Sequence, residues 1–234
     1  MTYDIEKAPA GDVRTGGHGR AAAERTAPVW WRRPWIIPLF LVALAWWIYT
    51  VLPFRDLNES TAPIPPHDGY PLYYPSLLGH MGFGTIAVFT VVIQVWPWVR
   101  RNHPKVHRVT GRIYVVSALI SGLLGLSIVP FAPPVGQIGV SMATITWLVV
   151  VTVGFIRARQ RRYAVHRRYM LYAFAITMNN VWGTLIVSVG LRLPDPIDVN
   201  YLLEAARWIG WVVNLMLVQA WLYHTDKRPE YMPR

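Results

Sequence analysis

The sequence predicts an all-α fold: a polytopic transmembrane helical bundle of about six spans. Three observations carry that expectation. The apolar residues make up 53% of the chain, include 12 Trp and give a mean hydropathy of +0.28. They collect into six runs of roughly 18 to 25 residues, and about 20 residues at about 1.5 Å each cross a hydrocarbon core of about 30 Å. The 23 Lys and Arg fall mainly in short segments beside those runs, and no Asp or Glu falls inside one.

The formal charge of +11 would in a soluble chain suggest nucleic acid. Here the cations abut apolar runs, where membrane topology accounts for them, and nucleic-acid binding is set aside. The chain has no cysteine. That excludes disulfides, thiolate metal sites, Fe–S clusters and covalent c-type haem attachment.

Residues 1–28 mix Gly, Ala, Pro and both signs of charge without an apolar period, and read as a flexible cytoplasmic tail ahead of a transmembrane domain at 29–234. The first apolar stretch follows too long a polar lead, with no small-residue cleavage site, to read as a secretory signal peptide. Trp30, Trp31, Arg32, Arg33 and Trp35 suit an anchor at the headgroup level. The first span is expected at about 34–54. Arg55 to Ser76, with five prolines, three acids and three tyrosines, reads as an ordered loop or re-entrant cap on the far surface.

The second span is expected at about 77–99. PKVHRVTGRIY (Pro104 to Tyr114) follows as a basic connection, and then a third span at about 113–131. Ser117, Ser121 and Gly125 recur there at intervals of four, a stripe that lets another helix approach closely. The APPVGQ link leads to a fourth span at about 138–156. RARQRRYAVHRRYM (Arg157 to Met170) is the second basic connection, ahead of a fifth span at about 169–191. LRLPDPIDVNYLLEA reads as a polar turn, and the sixth span covers about 206–223. Links this short make consecutive spans antiparallel neighbours.

The charges orient the whole. Residues 1–33 hold six Lys and Arg, 100–112 five, 157–168 six and 225–234 three, whereas the other side has only Arg55, Arg192 and Arg207. A twenty-to-three split places both termini in the cytoplasm and demands an even number of spans.

His80 is the one ionisable side chain well inside a span, and an intramembrane ionisable group is costly enough to suggest haem, quinone or proton binding. The bland alternative is a neutral imidazole bonded to a neighbouring helix, with Asn179 or Asn180 as the expected partner. His107 and His166 each stand just before a span and each is followed by arginine. Two such imidazoles can ligate a b-type haem axially, with Arg108, Arg112 and Arg167 near its propionates, or the same basic residues can hold an anionic lipid or a quinone headgroup. Against haem stands the spacing. Paired histidines about 13 to 14 residues apart, roughly 20 Å along a helix, mark many membrane cytochromes, but Gln94 occupies that position relative to His80. The bland reading of both clusters is a topology signal with incidental histidines.

Other polar residues carry less. His103 precedes a proline and marks the end of helical geometry. His67 with Asp68 supplies only two of the three or four ligands a metal needs. His224 suits a helix terminus, and Gln94, Asn214 and Gln219 suit interhelical hydrogen bonds.

His80, Gln94, HRVTGRIY (His107 to Tyr114), Trp147 and HRRYM (His166 to Met170), taken in order over Gly79 to Leu191, resemble a predicted bacterial membrane-protein family, domain of unknown function 2306. The pattern in that family is a histidine early in one helix, an HR-x-x-GR-x-Y turn and an H-x-x-WM turn. Tyr169 stands where the family usually has Trp, and Asn179 to Gly183 departs from its pattern. The resemblance implies a four-helix core with peripheral helices, similar to small haem-binding membrane cytochromes, in a bacterial inner membrane.

The functional expectation is a membrane protein whose His80, His107, Arg108, Arg112, His166, Arg167, Asn179 and Asn180 line pockets for an anionic lipid, quinone or other membrane-soluble ligand. One alternative is a b-type haem electron-transfer subunit ligated by His107 and His166. Another is an assembly subunit that packs a partner against the Ser117, Ser121, Gly125 stripe.

Overall fold

The structure, a computed structural model, describes residues 35–64, 69–195 and 197–225. The N-terminal tail, the Trp30 to Arg33 anchor and the His67–Asp68 pair lie outside the described residues. The described chain is helical, with α1 (Ile36–Thr50), α2 (Tyr73–Val95), α3 (Pro97–Asn102), α4 (Pro104–Ile128), α5 (Gln137–Arg159), α6 (Tyr163–Thr177), α7 (Asn179–Gly190) and α8 (Val199–Thr225). Single 3-10 turns follow α1 and α4 and cross the α1–α2 connection.

Among the described residues, five segments are long and apolar enough to span a membrane: 73–95, 104–131, 137–159, 163–190 and 199–225. Their outward side chains are apolar too, with Leu123 62%, Val149 53% and Met216 66% exposed. That inverts the polar outer face of a water-soluble helix. α1 has only 15 residues, about 22 Å of helix. The first expected span is therefore present as a shorter apolar helix. It leans on α2 through Phe40 and Trp47 against Phe89, and reaches α7 through Trp46 Nε1, which donates to Thr184 Oγ1 at 3.1 Å.

The core lies among α2, α4, α5 and α6, the four central spans. Ala87, Val88, Val91 and Val92 of α2 meet Tyr114, Val115 and Ala118 of α4, Trp147, Val150 and Val151 of α5, and Ala173 and Ile176 of α6. Lipid is as apolar as these side chains, so close packing and hydrogen bonds hold the helices together. Small and β-branched residues let the backbones approach.

Helix limits follow local chemistry. Pro97 and Pro104 stand at the first position of α3 and α4, and the residue before each, Trp96 and His103, has left helical geometry, as Pro imposes. The second span accordingly ends at Val95 rather than near 99. Both basic connections prove to be largely helix. Pro104 to Tyr114 forms the first three turns of α4. In the second, α5 runs to Arg159, Arg161 turns the chain with φ 60°, and α6 restarts at Tyr163. The expected polar turn before the last span also ends early, because Asp198 Oδ1 accepts the Asn200 N–H at 2.8 Å and starts α8 at Val199. Gly136 (φ 75°) makes the opposite turn into α5, and Arg207 of α8 donates to the carbonyls of Pro133 and Val135 there.

The fifth span is interrupted. Between α6 and α7, Met178 breaks the regular ladder. Asn214 of α8 donates from Nδ2 to Ala175 O at 2.9 Å and accepts from Trp182 Nε1 at 3.0 Å. A carbonyl near a break inside lipid needs such a donor.

Candidate functional site

The basic ends of α3, α4, α5 and α6 meet at one end of the bundle. Gln94, near the end of α2, donates from Nε2 to His107 O at 3.0 Å and also to Thr110 Oγ1. That bond needs Gly111, where a Cβ would stand 3.1 Å from Gln94 Oε1. The His-Arg-Val-Thr-Gly-Arg run is thereby fixed against α2 as helix.

His166, on the first turn of α6, donates from Nδ1 to Gly154 O of α5 at 2.8 Å. A carbonyl only accepts, so Nδ1 carries a proton, and in the neutral ring Nε2 keeps its lone pair. His107 lies within electrostatic reach of Arg100, Arg108 and His166, and His166 within reach of Arg100. His107, Arg108 and His166 thus share one cluster, joined by Arg100 from α3. His107 Nδ1 is buried with no hydrogen-bond partner. Arg112 is exposed one turn further along α4. Arg167 turns toward α8, its guanidinium 5.2 Å from the Trp221 ring. From residue 69 to 194 the sequence contains no carboxylate at all, so these cations concentrate positive charge.

His80 is held elsewhere. Its Nδ1 donates to Ser121 O at 2.8 Å, while Ser121 Oγ donates to His80 O at 2.9 Å. A Cβ on Gly125 would sit 2.9 Å from that ring nitrogen. The partner is thus on α4 and is neither Asn179 nor Asn180. The Ser117, Ser121, Gly125 stripe is buried inside the chain, and at Ser121 and Gly125 it is taken up by His80 of α2, so the assembly role argued from it loses its free surface. Asn179 begins α7 with Oδ1 buried and unpartnered against α8 at Gly210, and Asn180 is exposed, its carbonyl accepting from Thr184 Oγ1.

One central element escaped the sequence reading. Trp147 Nε1 donates to Tyr114 OH at 3.2 Å, Tyr114 lies 3.0 Å from Thr177 Oγ1, and Thr177 donates its own proton to Ala173 O at 2.8 Å. Tyr114 OH must then donate to Thr177, giving a one-way chain from α5 through α4 to the last residue of α6. The signal was the tyrosine that closes HRVTGRIY, which periodicity alone marks only as core. No group of three or more metal-ligating side chains occurs among the described residues. For a b-type haem the donor chemistry fits in part: His166 has the oriented Nδ1–H that ligating imidazoles use, and His107 stands in the same cluster.

Helices of this length, an apolar exterior and cations gathered at one end define a multi-pass α-helical membrane protein. The chain belongs to the family described as Predicted membrane protein (DUF2306), which matches residues 77–222. That match reaches through most of α8, beyond the Gly79 to Leu191 stretch over which the motifs are recognisable. No curated protein and no solved structure matches the chain.

Proposed function

We propose that the protein binds an anionic, membrane-soluble amphiphile at its basic end, and that this end faces the cytoplasm of a bacterial inner membrane. The single observation behind this reading is the cluster of Arg100, His107, Arg108 and His166, drawn from three helices, in a stretch of chain without carboxylates. Arg112 and Arg167 extend the positive surface, and the charge split supports the orientation. His80, Asn179 and Asn180 belong in this reading to the frame that sets the helices, rather than to the headgroup site.

Near a membrane surface each Lys or Arg contributes about 1 kcal/mol toward anionic lipid, roughly a fivefold change in affinity. The test is saturable binding of phosphatidylglycerol or cardiolipin to the purified chain, read by native mass spectrometry. Arg108→Gln with Arg100→Gln should weaken binding by more than tenfold at low salt, whereas Arg192→Gln at the opposite end should leave it unchanged. Equal binding in all three proteins would sink the proposal.

A second reading rests on the His166–Gly154 bond, which leaves Nε2 as an electron-pair donor. A b-type haem held by His107 and His166, with Arg108 and Arg112 toward its propionates, would supply one-electron transfer. A reduced-minus-oxidised spectrum of protein made with ample haem should then show sharp α and β bands, lost in His107→Ala and in His166→Ala. A featureless spectrum removes this reading.

A further inference from the structure

A second feature stands apart from the basic cluster. α5, α6 and α8 leave between them a groove of about 840 Å³, within the size range of small-ligand sites. Val150, Leu215, Met216 and Ala220 give it apolar walls, Tyr172 and Gln219 supply a bonded polar pair, and Thr146 and His224 line it as well. The Tyr172 hydroxyl donates to Gln219 Oε1. That bond engages one lone pair of the amide oxygen and sets which way the amide faces, and leaves its NH2 as the pair of donors. Tyr169 and Tyr172, their rings 6.2 Å apart and nearly perpendicular, add flat aromatic surface on the same side. Among the described residues no lysine, arginine or carboxylate lines the groove.

We propose that this groove is the site of a neutral, carbonyl-bearing ring on a long apolar chain, a quinone of the isoprenoid type. Each part of that ligand answers a feature of the wall. A ring carbonyl accepts from Gln219 Nε2, the planar ring lies against tyrosine, and the chain follows Val150 and Leu215 into the bilayer. An anionic headgroup would have to leave water for a wall whose described residues include no lysine or arginine, with His224 as its one basic side chain, and that penalty is severe in a medium of low dielectric constant. The groove and the basic cluster thus select different chemistries, one neutral and one anionic.

The experiment titrates decylubiquinone into the full chain in neutral detergent, with binding read by calorimetry. The wild type should bind one equivalent saturably. Gln219→Leu removes the donors and should weaken binding about tenfold, as expected for one lost hydrogen bond to a carbonyl. Ala220→Trp fills the groove and should abolish binding. Its thermal unfolding in the same detergent checks the fold, and Gln219→Leu still decides the matter if that variant is unstable. Arg108→Gln should bind decylubiquinone as the wild type does, which separates this site from the anionic one. The proposal is overturned by the absence of saturable binding, by equal affinity in Gln219→Leu, or by displacement of the quinone with phosphatidylglycerol, which would identify the occupant as an ordinary lipid.

Discussion

Tyr114 joins three helices through a single oxygen. It accepts from Trp147 and donates to Thr177, and with its ring fully buried neither partner has water to fall back on. Removing the hydroxyl in Tyr114→Phe leaves a buried indole N–H without an acceptor, at a cost of about 1–3 kcal/mol. Thr177→Val should cost less, and the double variant should be less destabilised than the sum, because the two changes cut the same chain. Denaturant titration of the four proteins in one detergent measures this, and simple additivity would mean that the bonds contribute nothing. His80 makes a parallel case. Its ring cannot swing away from an added methyl without breaking its bond to Ser121, so Gly125→Ala should destabilise by about 1–3 kcal/mol, seen as a lower melting temperature. An unchanged melting temperature would show that α2 and α4 can slide apart there.

At the scale of elements, two devices set the outline. Prolines start α3 and α4 where the second span ends, and an internal break divides the fifth span at Met178. The break depends on α8, since Asn214 serves both Ala175 O and Trp182 Nε1. Asn214→Leu preserves size but removes both bonds. It should speed amide hydrogen exchange over residues 176–182 by about tenfold, in line with about 1–2 kcal/mol of lost interhelical bonding. Exchange at the wild-type rate would mean that the break is held by the local sequence alone. The basic segments carry the opposite lesson. Read as loops from their charge, they are largely helix, because solvated arginines are good helix formers and nothing between Pro104 and Tyr114 stops the ladder, while the second segment turns only at Arg161.

For the whole molecule, the open quantity is orientation, and the chain is well suited to measuring it because it has no cysteine. A single cysteine placed at Arg161, in the α5–α6 turn, or at Pro134, in the α4–α5 turn, is the only thiol present. The proposed orientation predicts that an impermeant maleimide added to intact cells labels Pro134→Cys and spares Arg161→Cys, with both labelled after permeabilisation. The reverse pattern would place the basic cluster outside. The same pair of variants bears on α1: adding a cysteine near the N-terminus tells whether this 15-residue helix completes an even number of crossings.

The four-helix core was an implication of the family resemblance; the class of protein, the approximate spans and the concentration of cations at one end were legible in the sequence itself. They follow from how long each apolar run is and where charge interrupts it. Those quantities report the transfer of one segment at a time between water and lipid, and need no knowledge of neighbours. The partner of His80, the Trp147–Tyr114–Thr177 chain, the break at Met178 and the groove of α5, α6 and α8 were decided only in three dimensions. Each depends on which helices touch and at what depth, through contacts between residues 33 to 63 positions apart in the bonded pairs. In a bilayer every apolar helix face is equally content against lipid, so hydropathy marks no preferred face. The choice falls to close packing and to a few hydrogen bonds, which exist only once the helices have met.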